Sequence, residues 1–132
     1  IQPLADAVSR AVQGEPRFEI ALRGAGPFPN PARPRVLWVG VREGADRVAR
    51  LSRSIDESTV ASGFAPADKA FRPHLTIGRV RGESAGTRGA DVISRYSDAF
   101  WGTVSVDCIH VVASVLKPSG PVYTSLARIP LE

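Results

Sequence analysis

A chain of 132 residues, 43% of them hydrophobic, is one domain or most of one, long enough to bury a core. It contains no run of the roughly 20 apolar residues that crosses a bilayer, so no membrane partner is expected. Its single cysteine, Cys108, can close no internal disulfide, which favours a reducing, cytoplasmic compartment. The net charge of +4 is carried almost wholly by arginine, whose planar fork suits a phosphate-bearing partner.

Leu4, Ala7, Val8, Ala11 and Val12 follow the spacing of an amphipathic helix, which Gly14 and Pro16 end. The chain has no methionine and opens inside this pattern, so residues are expected upstream of Ile1. Phe18, Ile20 and Leu22 alternate as in a half-buried strand. Residues 24–34, with Pro27, Pro29, Pro31 and Pro34, read as a loop. Val36 to Val41 is nearly all apolar and reads as a central strand with Trp38 in the core. A helix is expected from Ala45 to about Ser62, with Val48, Leu51 and Ile55 as its buried stripe. Residues 81–88 read as a polar loop and 90–100 as a short helix. Thr103 to Ser114 reads as one long strand, and Pro118-Ser119-Gly120 turns it into a last strand, Val122 to Ile129. Strands this close in sequence pair antiparallel, so the fold class is α+β.

The chemistry concentrates in Phe71-Arg72-Pro73-His74-Leu75-Thr76-Ile77-Gly78-Arg79. Pro73 biases Arg72 to extended geometry. Alternation then puts His74 and Thr76 on one face, and Leu75 and Ile77 on an opposite, core face. An imidazole, a hydroxyl and flanking arginines make a phosphate site, and histidine is suited to proton transfer near neutral pH. Arg72 has the parity of His74. Arg79 does not, and joins that face only past a strand end or a bulge, which Gly78 permits. The other histidine, His110, shares a strand face with Val106, Cys108 and Val112 and reads as structural. Phe28 and Tyr123 are the aromatic residues in position to stack on a base, although packing is the more ordinary role for Phe28. No cluster has metal-ligand spacing, so no metal or cofactor is expected.

This stretch resembles the second His-x-Thr motif of the two-histidine (2H) phosphoesterases. It is closest to their bacterial and archaeal RNA 2′,3′-cyclic phosphodiesterase branch, also called 2′-5′ RNA ligases. Phe28-Pro29, Pro34-Arg35-Val36-Leu37-Trp38-Val39-Gly40-Val41, and Ser114 with Pro118, Gly120, Pro121 and Tyr123 extend the likeness over nearly all of residues 1–132. The resemblance implies a bilobal, pseudo-symmetric α+β domain whose two antiparallel sheets line a central cleft, with one His-x-Thr from each lobe. It implies metal-free hydrolysis of 2′,3′-cyclic phosphodiester ends of RNA to 2′-phosphates, with 2′-5′ ligation in some members. The expected partners are RNA ends or cyclic nucleotides, and the expected state is a monomer. His74 takes a proton-transfer role, as the base that activates water. Thr76, Arg72, Arg79 and Tyr123 contact the substrate or its phosphate. The family's first His-x-Thr has no counterpart here, since Val111-Val112 follow His110. The expectation is therefore a domain lacking its N-terminal segment, and a nearly inactive one by itself. The alternative is a non-catalytic RNA- or nucleotide-binding domain that retains one motif.

Overall fold

The computed structural model describes the backbone of residues 1–132 and the side chains of all but residues 83–87. In chain order the elements are α1 (Gln2–Ala11), β1 (Phe18–Phe28), β2 (Val36–Val41), α2 (Ala45–Ala61), β3 (His74–Arg79), α3 (Glu83–Ser94), β4 (Phe100–Val106), β5 (Cys108–Lys117) and β6 (Gly120–Pro130). The class is α+β, with a four-stranded sheet in the order β3-β2-β1-β4 and a two-stranded sheet β5-β6. The pairs β1/β2, β2/β3 and β5/β6 are antiparallel. The chain divides into two compact units, one comprising Ile1–Phe18, Ala49–Phe71 and Val106–Glu132, the other Glu19–Val48 and Arg72–Ser105.

The first unit is built on the β5-β6 hairpin. The proline at position 3 falls in the opening turn of α1, where a missing N–H costs no hydrogen bond. The apolar stripe of that helix then buries Ala7 and Val8, and Val12 follows just past its end. The Ser58 hydroxyl of α2 donates to the Ala7 carbonyl at 2.7 Å, tying the two helices together. Ile129 and Leu131 join this core. The tail is closed by main-chain bonds from Arg17 to Glu132 and from Glu132 to Glu15.

The second unit is the four-stranded sheet with α3 against it. A Cβ on Gly89 would meet Leu37 Cδ1 at 3.5 Å, so the helix sits over the Leu37 and Val39 face of β2. Ala21, Ala25, Val39, Ala90 and Ile93 are its buried apolar residues. At the β4 side, Trp101 Nε1–H donates to the Gly24 carbonyl at 3.1 Å. Arg42 bridges to Asp98 at 3.0 Å.

Four sequence expectations are corrected. β1 continues to Phe28 where a loop is expected from residue 24, because an extra residue is absorbed between Leu22 and Ala25 and the pairing with β2 then resumes. Gly24, at φ 78, adopts the left-handed conformation there. The expected strand 103–114 is interrupted at Asp107, so β4 and β5 belong to different sheets. The helix expected over 90–100 begins earlier, at Glu83, inside the expected loop. Trp38 is only half-buried, not core. Its indole lies over β1, so close that a Cβ on Gly26 would come within 2.6 Å of the ring.

That close approach predicts opposite signs for two alanines. Gly26→Ala displaces the indole and is expected to destabilise by about 1–3 kcal/mol, as overpacking does. Gly89→Ala meets only ordinary contact and is expected to stabilise α3 by roughly 0.5–1 kcal/mol. Denaturant unfolding of the two variants measures both.

Candidate active site

His74 is the first residue of β3 and its ring is exposed. Its Nδ1 lies 2.6 Å from the Arg72 carbonyl oxygen. A carbonyl only accepts, so Nδ1 carries the proton and donates it. The neutral ring therefore keeps its lone pair on Nε2, the tautomer a general base needs. Pro73 holds the preceding residue extended, which brings this carbonyl under the ring. Opposite His74 stands Gly40, so no cross-strand side chain crowds the imidazole.

The register of β3 against β2 decides which residues share that face. Gly40 pairs with His74, Val39 with Leu75 and Trp38 with Thr76; then the register slips, and Leu37 pairs with Gly78 and Val36 with Arg79. Ile77 is the surplus residue of this bulge. Val36, Trp38 and Gly40 share one face of β2 by alternation, and directly opposed residues share a face across strands. His74, Thr76 and Arg79 therefore stand on a single face. Strict alternation sets Arg79 apart from it, and the bulge reverses the parity. Gly26 opposes Trp38 and Phe28 opposes Val36, so both belong to this face as well. α3 covers the other face.

The expectation that Leu75 and Ile77 form a core face is corrected. Leu75 has the expected parity, but is 51% exposed, and Ile77, the bulged residue, is 53% exposed. The physical reason is position: β3 is the outermost strand and α3 packs over β2. Arg72 precedes β3, so strand parity does not govern it; its carbonyl anchors His74 and its side chain is exposed. Tyr123 belongs to the other unit, on β6 opposite Ser114, and is 62% exposed. The tautomer set by the Arg72 carbonyl and the aromatic Trp38 on the His74 face are features sequence reasoning missed. The Gly40 and Trp38 spacing in β2 was the available signal for the second.

His110 is engaged on both ring nitrogens, with Nδ1 at 2.8 Å from Ser125 Oγ and Nε2 at 3.3 Å from Cys108 Sγ. The Cys108 thiol hydrogen-bonds the Asp107 carboxylate, which pushes the thiol up and holds the carboxyl below its ordinary value. Asp107 also faces Arg128 at 3.8 Å. Among the described residues no group of three or more His, Cys, Asp or Glu could hold a metal ion. No described helix is long and apolar enough to cross a membrane.

A free imidazole lone pair, a hydroxyl and a guanidinium on one open strand face suit proton transfer beside an anionic group such as a phosphate. Residues 2–116 match the model of the 2′-5′ RNA ligase superfamily. The chain belongs to that family. An Archaeoglobus fulgidus protein named RNA 2′,3′-cyclic phosphodiesterase is 39% identical over 109 residues, 83% of this chain and 60% of the relative. Proteins of the same name from Aeropyrum pernix and Methanothermobacter thermautotrophicus are each 36% identical, over 86% and 96% of this chain and 64% and 67% of theirs. The chain thus spans less than two thirds of the Archaeoglobus and Aeropyrum relatives. Among solved structures, the Thermus thermophilus protein TT0787 superimposes with a TM-score of 0.67 at 30% identity, over 99% of this chain and 69% of that one. E. coli LigT crystallised with 3′-AMP gives a TM-score of 0.68 over 98% and 67%, at 23% identity.

The Asp107 carboxyl offers a direct check on the hydrogen bonds around His110. Its folded pKa is depressed, so it stabilises the fold above its unfolded value and loses that contribution as pH falls through the folded one. Cys108→Ala removes the donor that depresses it most. The carboxyl carbon shift of Asp107 is then expected to titrate at higher pH than in the wild type, nearer the ordinary 3.8. An unmoved titration would remove the thiol from this chain of bonds.

Proposed function

We propose that this chain carries the water-activating half of an RNA 2′,3′-cyclic phosphodiesterase, cytoplasmic and working on RNA ends. The observation that carries the reading is the Nδ1–H bond of His74 to the Arg72 carbonyl, which leaves Nε2 unoccupied on the face of Thr76 and Arg79. Nε2 takes a proton from water as the water oxygen attacks the cyclic phosphorus. The bond from phosphorus to the ribose 3′-oxygen breaks, and the 2′-phosphate remains. Thr76 donates its hydroxyl to a non-bridging oxygen as charge builds there, and Arg79 supplies positive charge beside it. Tyr123 and the side chain of Arg72 are assigned to the substrate on the family resemblance. The name of the 2′-5′ RNA ligase superfamily supports ligation as a second reaction of the same site.

The departing 3′-oxygen needs a proton. His110 is occupied on both nitrogens in the β5-β6 sheet, so the reading assigns the acid to a group outside these 132 residues. Two consequences are testable. The 132-residue chain alone is expected to hydrolyse 2′,3′-cyclic AMP about 10²–10⁴-fold more slowly than the full-length gene product, the usual cost of losing one acid–base partner. In that full-length product, His74→Ala is expected to lower kcat by a similar ~10²–10⁴-fold. Robust turnover by the chain alone overturns the division of labour. An unchanged kcat in His74→Ala overturns the site.

A further inference from the structure

Arg33, Arg35, Arg79 and Arg81 gather at one end of the four-stranded sheet. Arg35 N–H donates to the Phe28 carbonyl at 2.7 Å, and the Arg35 carbonyl accepts from Val80 N–H at 2.9 Å. Val36, next in the chain, pairs with both Phe28 and Arg79. Arg33 N–H donates to the Asn30 side chain at 2.8 Å, holding the β1–β2 loop beside these residues. The four arginine side chains are exposed, and no ion pair among the described residues includes them. The opposite end of the sheet is different in kind. There Arg42 is paired with Asp98, and Glu43 and Glu19 stand where β1 and β2 meet α2.

We propose that this arginine end binds the backbone phosphates of a single-stranded RNA whose terminal cyclic phosphate sits at His74, making an oligonucleotide, not a mononucleotide, the preferred substrate. The inference rests on the active-site reading above. A strand rises about 3.3 Å per residue, and Thr76 and Arg79 oppose Trp38 and Val36, two positions apart on β2, so they lie roughly 7 Å apart along the sheet. An extended arginine spans that gap to the reacting phosphate. Arg81, Arg35 and Arg33 lie beyond it, where a mononucleotide has nothing to offer them and a polymer has its next phosphates. Four guanidinium groups near one another, with no ion pair among the described residues, repel, and a polyanion is the partner that relieves this. Phe28 is 57% exposed on the His74 face at the same end, in position to stack on a base of that strand.

The test compares two probes, 2′-AMP and a labelled single-stranded oligoribonucleotide of about ten residues ending in a 2′-phosphate, titrated over a range of KCl concentrations. The wild type is expected to bind the oligonucleotide at least tenfold more tightly than 2′-AMP, with a steep salt dependence. Each phosphate contact contributes about 0.7 to the slope of log K against log salt for a single strand. Arg33→Glu/Arg35→Glu/Arg81→Glu is therefore expected to lower the slope by about two and the oligonucleotide affinity more than tenfold, leaving 2′-AMP within about twofold. The charge-matched Arg50→Glu/Arg53→Glu/Lys69→Glu, altered in the other unit, is expected to retain most of the affinity. An oligonucleotide bound no better than 2′-AMP overturns the proposal, and so does equal weakening by the two triple variants. Patch-dependent oligonucleotide binding without any 2′-AMP binding supports the patch and defeats the active-site reading instead.

Discussion

Ile77 is the surplus residue of β3, and the slip it introduces sets what the four-stranded sheet presents. In a regular strand His74, Thr76 and Gly78 would share a face, and the sixth residue, Arg79, would turn toward α3. Taking up one extra residue between Thr76 and Gly78 returns Arg79 to the open side, in line with the imidazole and the hydroxyl. Gly78 gives the backbone room to do this without a side chain to place.

The same face depends on two absent side chains in the neighbouring strands. Gly26 opposes Trp38 across the β1/β2 ladder, and a Cβ there would enter the indole. Gly40 opposes His74, and a Cβ there would meet the Arg23 carbonyl oxygen at 2.7 Å as well as Trp38 Cζ3 at 3.2 Å. The indole thus lies flat because both positions lack a Cβ, and a flat, half-buried aromatic becomes part of the floor next to His74. Each unit follows one rule within itself. In one, α3 covers the Leu37 and Val39 face and leaves the His74 face open. In the other, α1 packs on β6, where Ile129 is buried, and leaves His110 and Tyr123 on the exposed side.

How much of this the sequence disclosed follows from the range of the interactions. α1 and α2 were legible because their apolar spacing is local, and so was β2, an unbroken apolar run. His-x-Thr was legible as chemistry, since alternation over two residues needs no partner strand. The bulge was legible only as a permission: Gly78 allowed it, but the count of residues between Thr76 and Arg79 is set by β2. Trp38 is misread for the same reason. Its apolar surroundings in sequence suggest core, while its depth is fixed by Gly26, twelve positions earlier. The break at Asp107 has a non-local cause as well, for its carbonyl accepts from Leu131 N–H at the far end of the hairpin. Leu75 and Ile77 carry a core pattern, but β3 is an edge strand, and nothing in six residues tells an edge from a centre.

The two histidines show why residue type alone does not define a site. Both sit on strands, both are exposed, and both have Nδ1 hydrogen-bonded. The partner of His74 is a carbonyl, which fixes a proton on Nδ1 and leaves Nε2 with a free lone pair facing solvent. The partners of His110 are a hydroxyl and a thiol, Ser125 Oγ at 2.8 Å and Cys108 Sγ at 3.3 Å, each of which can donate or accept. With both nitrogens engaged, that ring presents no open lone pair to water. His74 can accept a proton without losing the bond that orients it, because Nδ1 is already the donor and the added charge strengthens its hold on the Arg72 carbonyl. The orienting bond thus persists through the proton transfer, which is what a base must have if it is to return the proton and act again.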